Sequence, residues 1–453
     1  MDTTTKISAL AEEALFSEAI ETPVLLVAYA PVGVLTTDRI AVRDVCLVGR
    51  ADGCHLQLRE GKISRHHFRI LNADGTFWIE DLGSTNGTFL NGGRVFGKSP
   101  LLSGSVIRVG RSVLVFLLSA GGVLQGTVGQ AQGIAGRFHA APLIRSLEEA
   151  VTSGRHLLLH GPSGTGKELA ARVIAERAAP KRPWVVHNAA QFATEEEAAT
   201  TLFGVEESVF SGVRQRKGII EEAEKGVLFL DETHNLPARL QKSLLRVIEN
   251  GETKRIGSNT ARAFAVRFIL ASNIEDDTAG LAHDLFARLR VVRIPSLKER
   301  RADIPSIFSA VMTAMAAARQ IDAAPLISHM GGDHMETLCL EEFERDNIRG
   351  LIDVADRILS EVETGAVPNL AVDDVFRERF RSGAVAARQM LSSSSPCHSV
   401  SSEYEQNKQL IVSIYQRRGG NVSAVARELK ELGISCSRRW LTHYIKAWGL
   451  RHS

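Results

Sequence analysis

Short apolar runs separated by turn-forming residues fill positions 23–118. β-Branched and aromatic residues are frequent in the runs at 24–27, 68–70, 77–79 and 113–116. Gly, Asn and Asp stand between the runs, as at 72–75 and 91–93. Runs of this length and composition predict β-strands joined by tight turns. We therefore expect an all-β sandwich in this part of the chain.

A different pattern begins near residue 134, where buried apolar runs alternate with helix-forming stretches up to about 310. This alternation predicts an α/β fold. Residues 311–382 are Ala-rich and helix-prone, and the last 48 residues read as helical. Gly and Gln are frequent between 120 and 133, and a Ser-Ser-Ser-Ser-Pro run occupies 392–396, so both segments are predicted linkers.

These patterns predict a multidomain chain with three folded parts. The expected boundaries are 24–118 for the sandwich, 119–133 for a linker, 134–310 for the α/β core, 311–382 for a helical lid, 383–403 for a Ser-rich linker and 404–453 for an all-α C-terminal domain. A chain of 453 residues is long enough for about three domains.

The composition indicates a cellular compartment and shows one strongly charged segment. The chain is 44% hydrophobic and 23% charged with a net charge of +2, as in an ordinary soluble protein. From 406 to 453, nine Lys/Arg stand against two Glu, which makes that segment +7. Five scattered cysteines fit a reducing compartment better than a disulfide framework. We find no signal peptide and no long apolar run, so we expect a cytoplasmic protein with no membrane partner.

A glycine-rich loop joins the apolar run 157–159 to a helix-forming run at 168–178. It reads Gly161, Pro162, Ser163, Gly164, Thr165, Gly166, Lys167, Glu168. Its glycines let backbone N–H groups surround an anion, and the helix N-terminus adds its dipole. Lys167 supplies a point charge for the β- and γ-phosphates. The loop predicts a nucleotide site, although Glu168 stands where the usual pattern has Ser or Thr.

A second nucleotide signature lies at 226–232. Four apolar residues predict a buried strand, and two carboxylates, Asp231 and Glu232, follow at its carboxyl end. Asp231 is suited to hold Mg²⁺, and Glu232 to polarise an attacking water. A buried strand that merely ends in an acidic pair is the alternative. Together with the glycine-rich loop, the strand favours ATP and Mg²⁺ as ligands.

These motifs resemble the AAA+ domain of sigma-54-dependent transcriptional activators, the bacterial enhancer-binding proteins. The family also has Glu after the loop lysine. The resemblance covers about 134–360 and includes five more segments: 184–188, 202–204, 240–247, 271–273 and 295–305.

The resemblance implies roles for four polar residues. Asn188 matches the asparagine that contacts the glutamate of the acidic pair, and Asn273 matches a sensor of the γ-phosphate or attacking water. Arg288 stands where a finger reaches the neighbouring subunit's ATP, and Arg349 matches a second sensor arginine. Taken singly, each arginine is more typical of a surface salt bridge, but the order and spacing of the whole set favour the roles that the resemblance implies. The resemblance also implies self-association into a ring, expected to be a hexamer.

The family's sigma-54 contact loop aligns with 208–213 and departs from the usual hexapeptide. Phe210, Ser211 and Gly212 keep the aromatic, hydroxyl and glycine positions, whereas Val209 and Val213 are bulkier and stiffer than the alanines they replace. The family's first finger arginine is replaced by Ala282.

Residues 24–118 resemble a forkhead-associated (FHA) domain through 49–50, 64–67 and 84–92. The resemblance implies a phosphothreonine peptide site in which Arg50 and Ser64 contact the phosphate and Arg65 assists. Thr85 and Asn86 would hold the peptide backbone. A phosphate dianion suits a guanidinium, a hydroxyl and N–H donors. His67 and Asn91 are expected to hold the loops together. The alternative is that Asn86 belongs to an ordinary hairpin turn.

The basic C-terminal segment predicts two helices, at about 420–429 and 438–450. Leu441, Tyr444, Ile445 and Trp448 would form the apolar face of the second helix. Its outward residues, predicted to bind DNA, are Arg438, Arg439, Thr442, His443 and Lys446. The pair resembles the Fis-type helix-turn-helix of the same activators, with a longer turn. A basic solvated helix pair without a DNA role is the alternative.

The sequence therefore predicts a transcription regulator that binds upstream DNA, hydrolyses ATP in a ring and remodels sigma-54 RNA polymerase holoenzyme. The FHA domain would gate it through a phosphothreonine protein or a Ser/Thr kinase. The alternative is a DNA-binding regulator or phospho-dependent scaffold whose AAA+ domain binds ATP without remodelling sigma-54. A protein-unfolding AAA+ chaperone is disfavoured by the DNA-binding tail.

Overall fold

A computed structural model describes residues 22–119, 133–207, 215–343, 345–380, 408–418 and 422–431. These residues belong to two compact units. Unit 1 draws on 1–125, 301–342 and 354–453, and unit 2 on 126–300 and 343–353. Three predicted segments lie outside the described residues: most of the first linker, the Ser-rich linker and the second C-terminal helix with its DNA-binding residues. The predicted contact-loop residues Phe210, Ser211 and Gly212 also lie outside them.

The strands and helices are numbered along the chain. The strands are β1 Val24–Tyr29, β2 Arg39–Ala41, β3 Val45–Gly49, β4 Leu56–Gln57, β5 Phe68–Ala73, β6 Thr76–Asp81, β7 Thr88–Leu90, β8 Gly93–Arg94, β9 Lys98–Leu101, β10 Val106–Val109, β11 Ser112–Leu117, β12 Leu157–His160, β13 Trp184–Asn188, β14 Val227–Asp231, β15 Glu252–Thr253, β16 Arg262–Ala263, β17 Arg267–Ser272 and β18 Arg290–Arg293. The α-helices are α1 Ala140–Thr152, α2 Lys167–Ala178, α3 Glu195–Phe203, α4 Ile219–Glu222, α5 Ala238–Asn250, α6 His283–Arg288, α7 Ile304–Ala318, α8 Ala324–His329, α9 Gly332–Leu340, α10 Ile348–Glu363, α11 Pro368–Arg379, α12 Lys408–Arg417 and α13 Val422–Glu431.

Unit 1 contains the predicted β-sandwich. One sheet has the order β2-β1-β11-β10-β7-β8 and the other β4-β3-β5-β6-β9. Alternate strand residues from both sheets, such as Leu25, Ile70 and Leu114, are fully buried in one shared core. The predicted turn at 72–75 joins β5 to β6, with positive φ at Asp74 (52°) and Gly75 (81°). Positive φ at both central residues suits the twist of a two-residue hairpin. The two sheets and their shared core confirm the predicted sandwich.

The helices of unit 1 revise one predicted boundary. Helix α7 starts at Ile304, with a proline in its first turn, and continues to Ala318. A boundary between core and lid at residue 310 cuts through this helix and is therefore wrong. Proline favours a helix start because, at the first helical positions, the N–H that it lacks would have no intrahelical partner. The division of the chain into units falls between Arg300 and Arg301 instead.

Unit 2 contains a parallel sheet with the order β13-β14-β17-β12-β18. Alternation along its strands separates two cores. Leu158, Leu228 and Leu270 face one of them, and Phe229 and Ile269 the other. The α/β prediction is thus confirmed. In parallel sheets, ligands bind beyond the carboxyl ends of the strands, and the predicted nucleotide motifs follow β12, β14 and β17 at that edge.

In the C-terminal segment, the described helices are α12 and α13. The carboxylate of Glu428 on α13 accepts hydrogen bonds from Arg417 (2.5 Å) and Arg418 (2.6 Å). Helix α13 covers the first of the two predicted C-terminal helices, whose presence is confirmed.

Candidate functional site

The glycine-rich loop bends tightly between β12 and α2. Gly164 and Gly166 have φ of 71° and 97°, which residues with a Cβ rarely adopt. A Cβ on Gly161 would lie 2.3 Å from the Ile294 carbonyl oxygen, and one on Gly164 would lie 2.1 Å from the Asp346 carbonyl oxygen. Both contacts are too short for any real side chain. The loop therefore needs glycine for its shape and for close approach of neighbouring backbone.

Lys167 is held inside this loop. Its Nζ donates to the carbonyl oxygens of Gly161 (2.8 Å) and Pro162 (2.9 Å), and the residue is 8% exposed. Thr165 Oγ1 also donates to the Pro162 carbonyl, at 2.9 Å. Burial lowers the pKa of Lys167, and the nearby Asp231 carboxylate opposes that shift. Glu168 is exposed in the first turn of α2, a position that favours an acidic side chain.

The acidic pair sits where β14 ends. Asp231 Oδ1 accepts a hydrogen bond from the Glu232 backbone N–H at 2.8 Å, and Glu232 has a left-handed φ of 49°. The Glu232 carboxylate accepts from Asn235 Nδ2 at 3.3 Å. Asn235 has no counterpart among the predicted site residues, and only the short 3₁₀ turn after the strand brings it back to Glu232.

Two predicted site residues, Asn188 and Asn273, stand at the carboxyl ends of β13 and β17, the strands on either side of β14. Asn188 is the register partner of Asp231 in the sheet, but its side-chain oxygen accepts from the Ala190 N–H at 2.8 Å. Asn188 is thereby the N-cap of a short 3₁₀ helix, and its contact with Glu232 stays a prediction. Asn273, half-buried, follows directly after the end of β17.

A segment far along the chain closes the other side of the loop. Arg349 donates from its guanidinium to Ser163 Oγ at 3.1 Å, and the Ile348 N–H donates to the Gly164 carbonyl at 3.0 Å. Asn347 Nδ2 donates to the Ser163 carbonyl at 2.9 Å, while its Oδ1 accepts from the Leu297 N–H at 2.8 Å. Arg349 was predicted from its motif. Asn347, 1% exposed with φ of 46°, was not, although it stands in the same motif.

Arg300 is a second positioning residue that the sequence did not single out. Its guanidinium donates to the Thr165 carbonyl at 3.1 Å, and the residue is 3% exposed. The sequence offers one signal for this residue, the adjacent pair Arg300 and Arg301 in the segment 295–305.

Arg288 lies apart from this group. It occupies the last turn of α6, its side chain is 61% exposed, and its Nε donates to Glu249 at 2.7 Å. Ala282 caps the start of the same helix, and its N–H donates to Gln241 Oε1 at 2.7 Å.

The segments on either side of the predicted contact loop form a narrow neck. Val205 and Arg216 pair as an antiparallel bridge with reciprocal backbone hydrogen bonds of 3.0 Å. Beside the neck, Arg255 is 7% exposed and donates to both carboxylate oxygens of Glu221 at 2.8–2.9 Å. Its other amino group lies 3.6 Å from Glu206. The neck therefore holds the two loop ends together.

In the sandwich, the predicted phosphothreonine residues gather on neighbouring loops. The Ser64 hydroxyl accepts from the Thr85 N–H at 3.1 Å, and the Arg50 N–H donates to the Ser64 carbonyl at 3.0 Å. Asn86 Nδ2 donates to the Lys62 carbonyl at 2.6 Å. Arg50, Arg65, Thr85 and Asn86 are all exposed.

Buried polar residues hold these loops. His67 is fully buried, accepts from the Ser64 N–H at Nδ1 (3.0 Å), and lies 3.2 Å from the Gly87 carbonyl oxygen through Nε2. Burial lowers its pKa, so the ring is neutral at pH 7. Asn91 Oδ1 accepts from the Val106 N–H at 2.8 Å. The Asp81 carboxylate accepts from the Ser84 and Thr88 hydroxyls, both at 2.6 Å, and the sequence alone did not point to it.

Comparison with known families assigns both regions. Residues 135–295 match the family described as Sigma-54 interaction domain, and residues 46–110 match the FHA domain. The chain carries a sigma-54 interaction domain and an FHA domain. The first contains the glycine-rich loop, the acidic pair and the neck, and the second contains the loops around Ser64 and Thr85.

Several relatives are transcription regulators by name. The chain is 32% identical over 301 residues to the transcriptional regulatory protein ZraR of Klebsiella oxytoca, which covers 64% of this chain and 65% of that protein. It is 42% identical over 185 residues to the Nif-specific regulatory protein of Bradyrhizobium diazoefficiens, covering 39% of this chain and 32% of that protein. The chain thus spans less than two thirds of the length of these relatives.

Among solved structures, the chain is similar to NtrX from Brucella abortus in complex with ATP. The likeness has a TM-score of 0.47 and 26% identity, over 72% of this chain and 71% of that one. In the described part of this chain, no helix is both long enough and apolar enough to cross a bilayer.

Proposed function

We propose that this protein is a transcription regulator in which the sigma-54 interaction domain hydrolyses ATP within a ring, expected to be a hexamer, and remodels sigma-54 RNA polymerase. In this proposal the C-terminal segment holds the protein on DNA upstream of the promoter. The FHA domain gates the motor by binding a phosphothreonine protein or a Ser/Thr kinase. The matches to the two domains and the names of the relatives support this combination.

The observation that carries the ATPase is the convergence of three chain segments on one loop. The loop 161–168 supplies backbone N–H groups and the Lys167 ammonium. The carboxylates of Asp231 and Glu232 are near enough for their charges to act on the pKa of Lys167, and Arg349 donates a hydrogen bond to Ser163. Cationic groups and N–H donors fit a triphosphate, and carboxylates fit Mg²⁺, for which Asp231 is the proposed ligand. Bound Mg²⁺ would neutralise charge on the β- and γ-phosphates.

Each residue then has a proposed task. Lys167 and Arg349 hold phosphate oxygens, Glu232 orients the attacking water and accepts its proton, and Asn273 contacts the γ-phosphate or that water. Asn188, with Asp231 beside it in the sheet, positions the acidic pair. Arg288, exposed on α6, is proposed to reach the ATP of a neighbouring subunit and to make hydrolysis depend on assembly.

Two substitutions test the motor. Lys167→Ala should abolish ATP binding, whereas Glu232→Gln should retain ATP binding and lose hydrolysis by roughly 10²–10⁴-fold, the usual contribution of a general base. Both variants should fail to form open complexes on a sigma-54 promoter in vitro. Unchanged open-complex formation by either variant would refute the proposal.

A second candidate function rests on Ala282, which stands where the related motif has a finger arginine, and on the altered loop around Phe210. It is a DNA-binding regulator or phospho-dependent scaffold whose AAA+ domain binds ATP without remodelling sigma-54. Purified protein mixed with sigma-54 and an ATP transition-state analogue separates the two. A trapped complex supports the motor, and ATPase activity without a trapped complex supports the scaffold.

A further inference from the structure

The FHA domain packs against the helical segment 301–342 within unit 1 through a buried ion pair. Arg108 on β10 donates from Nε to Glu336 on α9 at 2.6 Å, with side chains 16% and 8% exposed. The same guanidinium lies 3.1 Å from Asp333 and 4.0 Å from the centre of the Phe89 ring. A buried arginine with two carboxylate partners and an aromatic face makes a specific contact rather than a loose one.

Three more contacts tighten the same junction. Tyr29 Oη donates to the Met330 carbonyl at 2.9 Å, and Arg301 donates to the Gly104 carbonyl at 3.0 Å. Gly332 lies so close to the sandwich that a Cβ on it would stand 2.7 Å from the Arg111 carbonyl oxygen. The start of α9 is therefore in direct van der Waals contact with the β10–β11 turn.

A groove of about 420 Å³ runs along this junction. Its lining includes Lys62, Asn86, Arg108 and Arg111 on the sandwich side, and Asp333 and His334 on the other side. Asn86 belongs to both the groove and the proposed phosphothreonine loops. Its side chain is bonded to Lys62, and its neighbour Thr85 is bonded to the Ser64 hydroxyl. The groove thus begins where the proposed phosphate contacts end.

We propose that a phosphothreonine peptide continues from the FHA loops into this groove, so that residues 331–334 form one wall of its binding site. This inference rests on the proposed phosphothreonine recognition. The residues that flank the phosphothreonine of an extended peptide add affinity and specificity only where a protein surface lies beside them. The groove shares Asn86, which directly follows Thr85 in the chain, with the proposed phosphothreonine loops, and Asn86 bonds to Lys62 at the groove wall.

The charges of the two walls specify the peptide. Asp333 Oδ1 lies 3.1 Å from Arg108, but the Asp333 side chain is 83% exposed, so its carboxylate also faces solvent on the helical wall and selects a Lys or Arg in the peptide. Lys62 and Arg111 on the sandwich wall select against a second basic residue on that side. The preferred ligand is therefore a phosphothreonine peptide with one basic residue placed to face α9. Its binding joins the FHA domain and α9 through a single ligand.

An oriented library of phosphothreonine peptides tests this with the full-length chain. The wild type should select Lys or Arg at one position flanking the phosphothreonine. Asp333→Lys should lower affinity for the best selected peptide at least tenfold and shift selection at that position to Asp or Glu, and Asp333→Asn should give a smaller loss. Asp374→Lys, which makes the same charge change at an exposed carboxylate of α11 outside the groove, should change nothing.

Each other outcome has a distinct meaning. If the wild type binds phosphothreonine peptides, Arg50→Ala removes that binding, and Asp333→Lys keeps the wild-type affinity and selection, the groove proposal is overturned while phosphothreonine recognition stands. If the wild type binds no peptide in the library, both proposals are overturned. If Asp333→Lys does not fold, Asp333→Asn still tests the proposal, because it keeps the shape of the side chain and removes only its charge. Wild-type affinity and selection in a folded Asp333→Asn variant would then overturn the groove proposal.

Discussion

Arg349 and Ser163 are 186 residues apart in the chain, and the arginine donates a hydrogen bond of 3.1 Å to the serine hydroxyl. The bond ties the start of α10 to the middle of the glycine-rich loop. Asn347 reinforces it through the Ser163 carbonyl. The loop and the start of α10 are thus joined at the point where the proposed function places a phosphate of ATP.

Replacing Arg349 should weaken ATP binding. Hydrogen bonds to charged groups contribute about 1.5–3 kcal/mol, so Arg349→Ala should raise the KM for ATP by roughly tenfold to a hundredfold. Arg349→Lys should give a smaller rise because lysine keeps the charge but lacks the planar donor fork. Steady-state ATPase assays measure both. Arg345→Ala, at an exposed arginine of the same segment, serves as the control and should leave KM unchanged.

Gly164 and Gly154 allow a matched test of the loop's shape. Both have positive φ, 71° and 63°, but only a Cβ on Gly164 meets backbone, 2.1 Å from the Asp346 carbonyl oxygen. Each substitution to alanine should cost about 1–2 kcal/mol for the left-handed backbone. Gly164→Ala should in addition lose ATP binding, as measured by titration with a fluorescent nucleotide. Equal ATP affinity in the two variants would contradict this reading of the loop.

Arg255 should stabilise the neck of the loop that is proposed to contact sigma-54. Removing one partner of a buried ion pair costs about 3–5 kcal/mol, so Arg255→Ala should markedly lower the free energy of unfolding in urea. Arg262 approaches the same two glutamates at 3.7–3.9 Å and is 38% exposed. Arg262→Ala should therefore cost less than about 1 kcal/mol. A similar loss for both variants would show that burial of Arg255 is not what matters.

Buried cysteines should resist alkylation in the folded protein. Burial raises the pKa of Cys46 and that of Cys339 to about 12 each, from 9.0. The thiolate is the reactive form, so at pH 8 its fraction should be about a thousandfold lower than in an unfolded chain. Iodoacetamide labelling followed by mass spectrometry should modify half-buried Cys54 before Cys46 and Cys339, which should react only in urea. Rapid labelling of Cys339 in the native protein would contradict the packing of α9.

Local features were predictable because they depend on neighbours in sequence. The apolar run 227–230 followed by Asp231 and Glu232 specified a buried strand with carboxylates at its end. The glycines of 161–166 specified a loop that only glycine can form. Backbone dihedral preferences and the period of apolar residues act over a few residues, so they can be read directly from the sequence.

Long-range contacts were decided only by tertiary structure. Arg108 and Glu336 are 228 residues apart, and no pattern in the sequence predicts that this arginine of the FHA domain would pair with this glutamate of α9. In the same way, the Ser163 partner of Arg349 lies 186 residues away in the chain, and the Thr165 partner of Arg300 lies 135 residues away. Such partners depend on which surfaces pack together and which buried polar groups then need a hydrogen bond. The sequence by itself determined the strands, the turns and the nucleotide loop of this protein, whereas packing determined which distant side chains complete its sites.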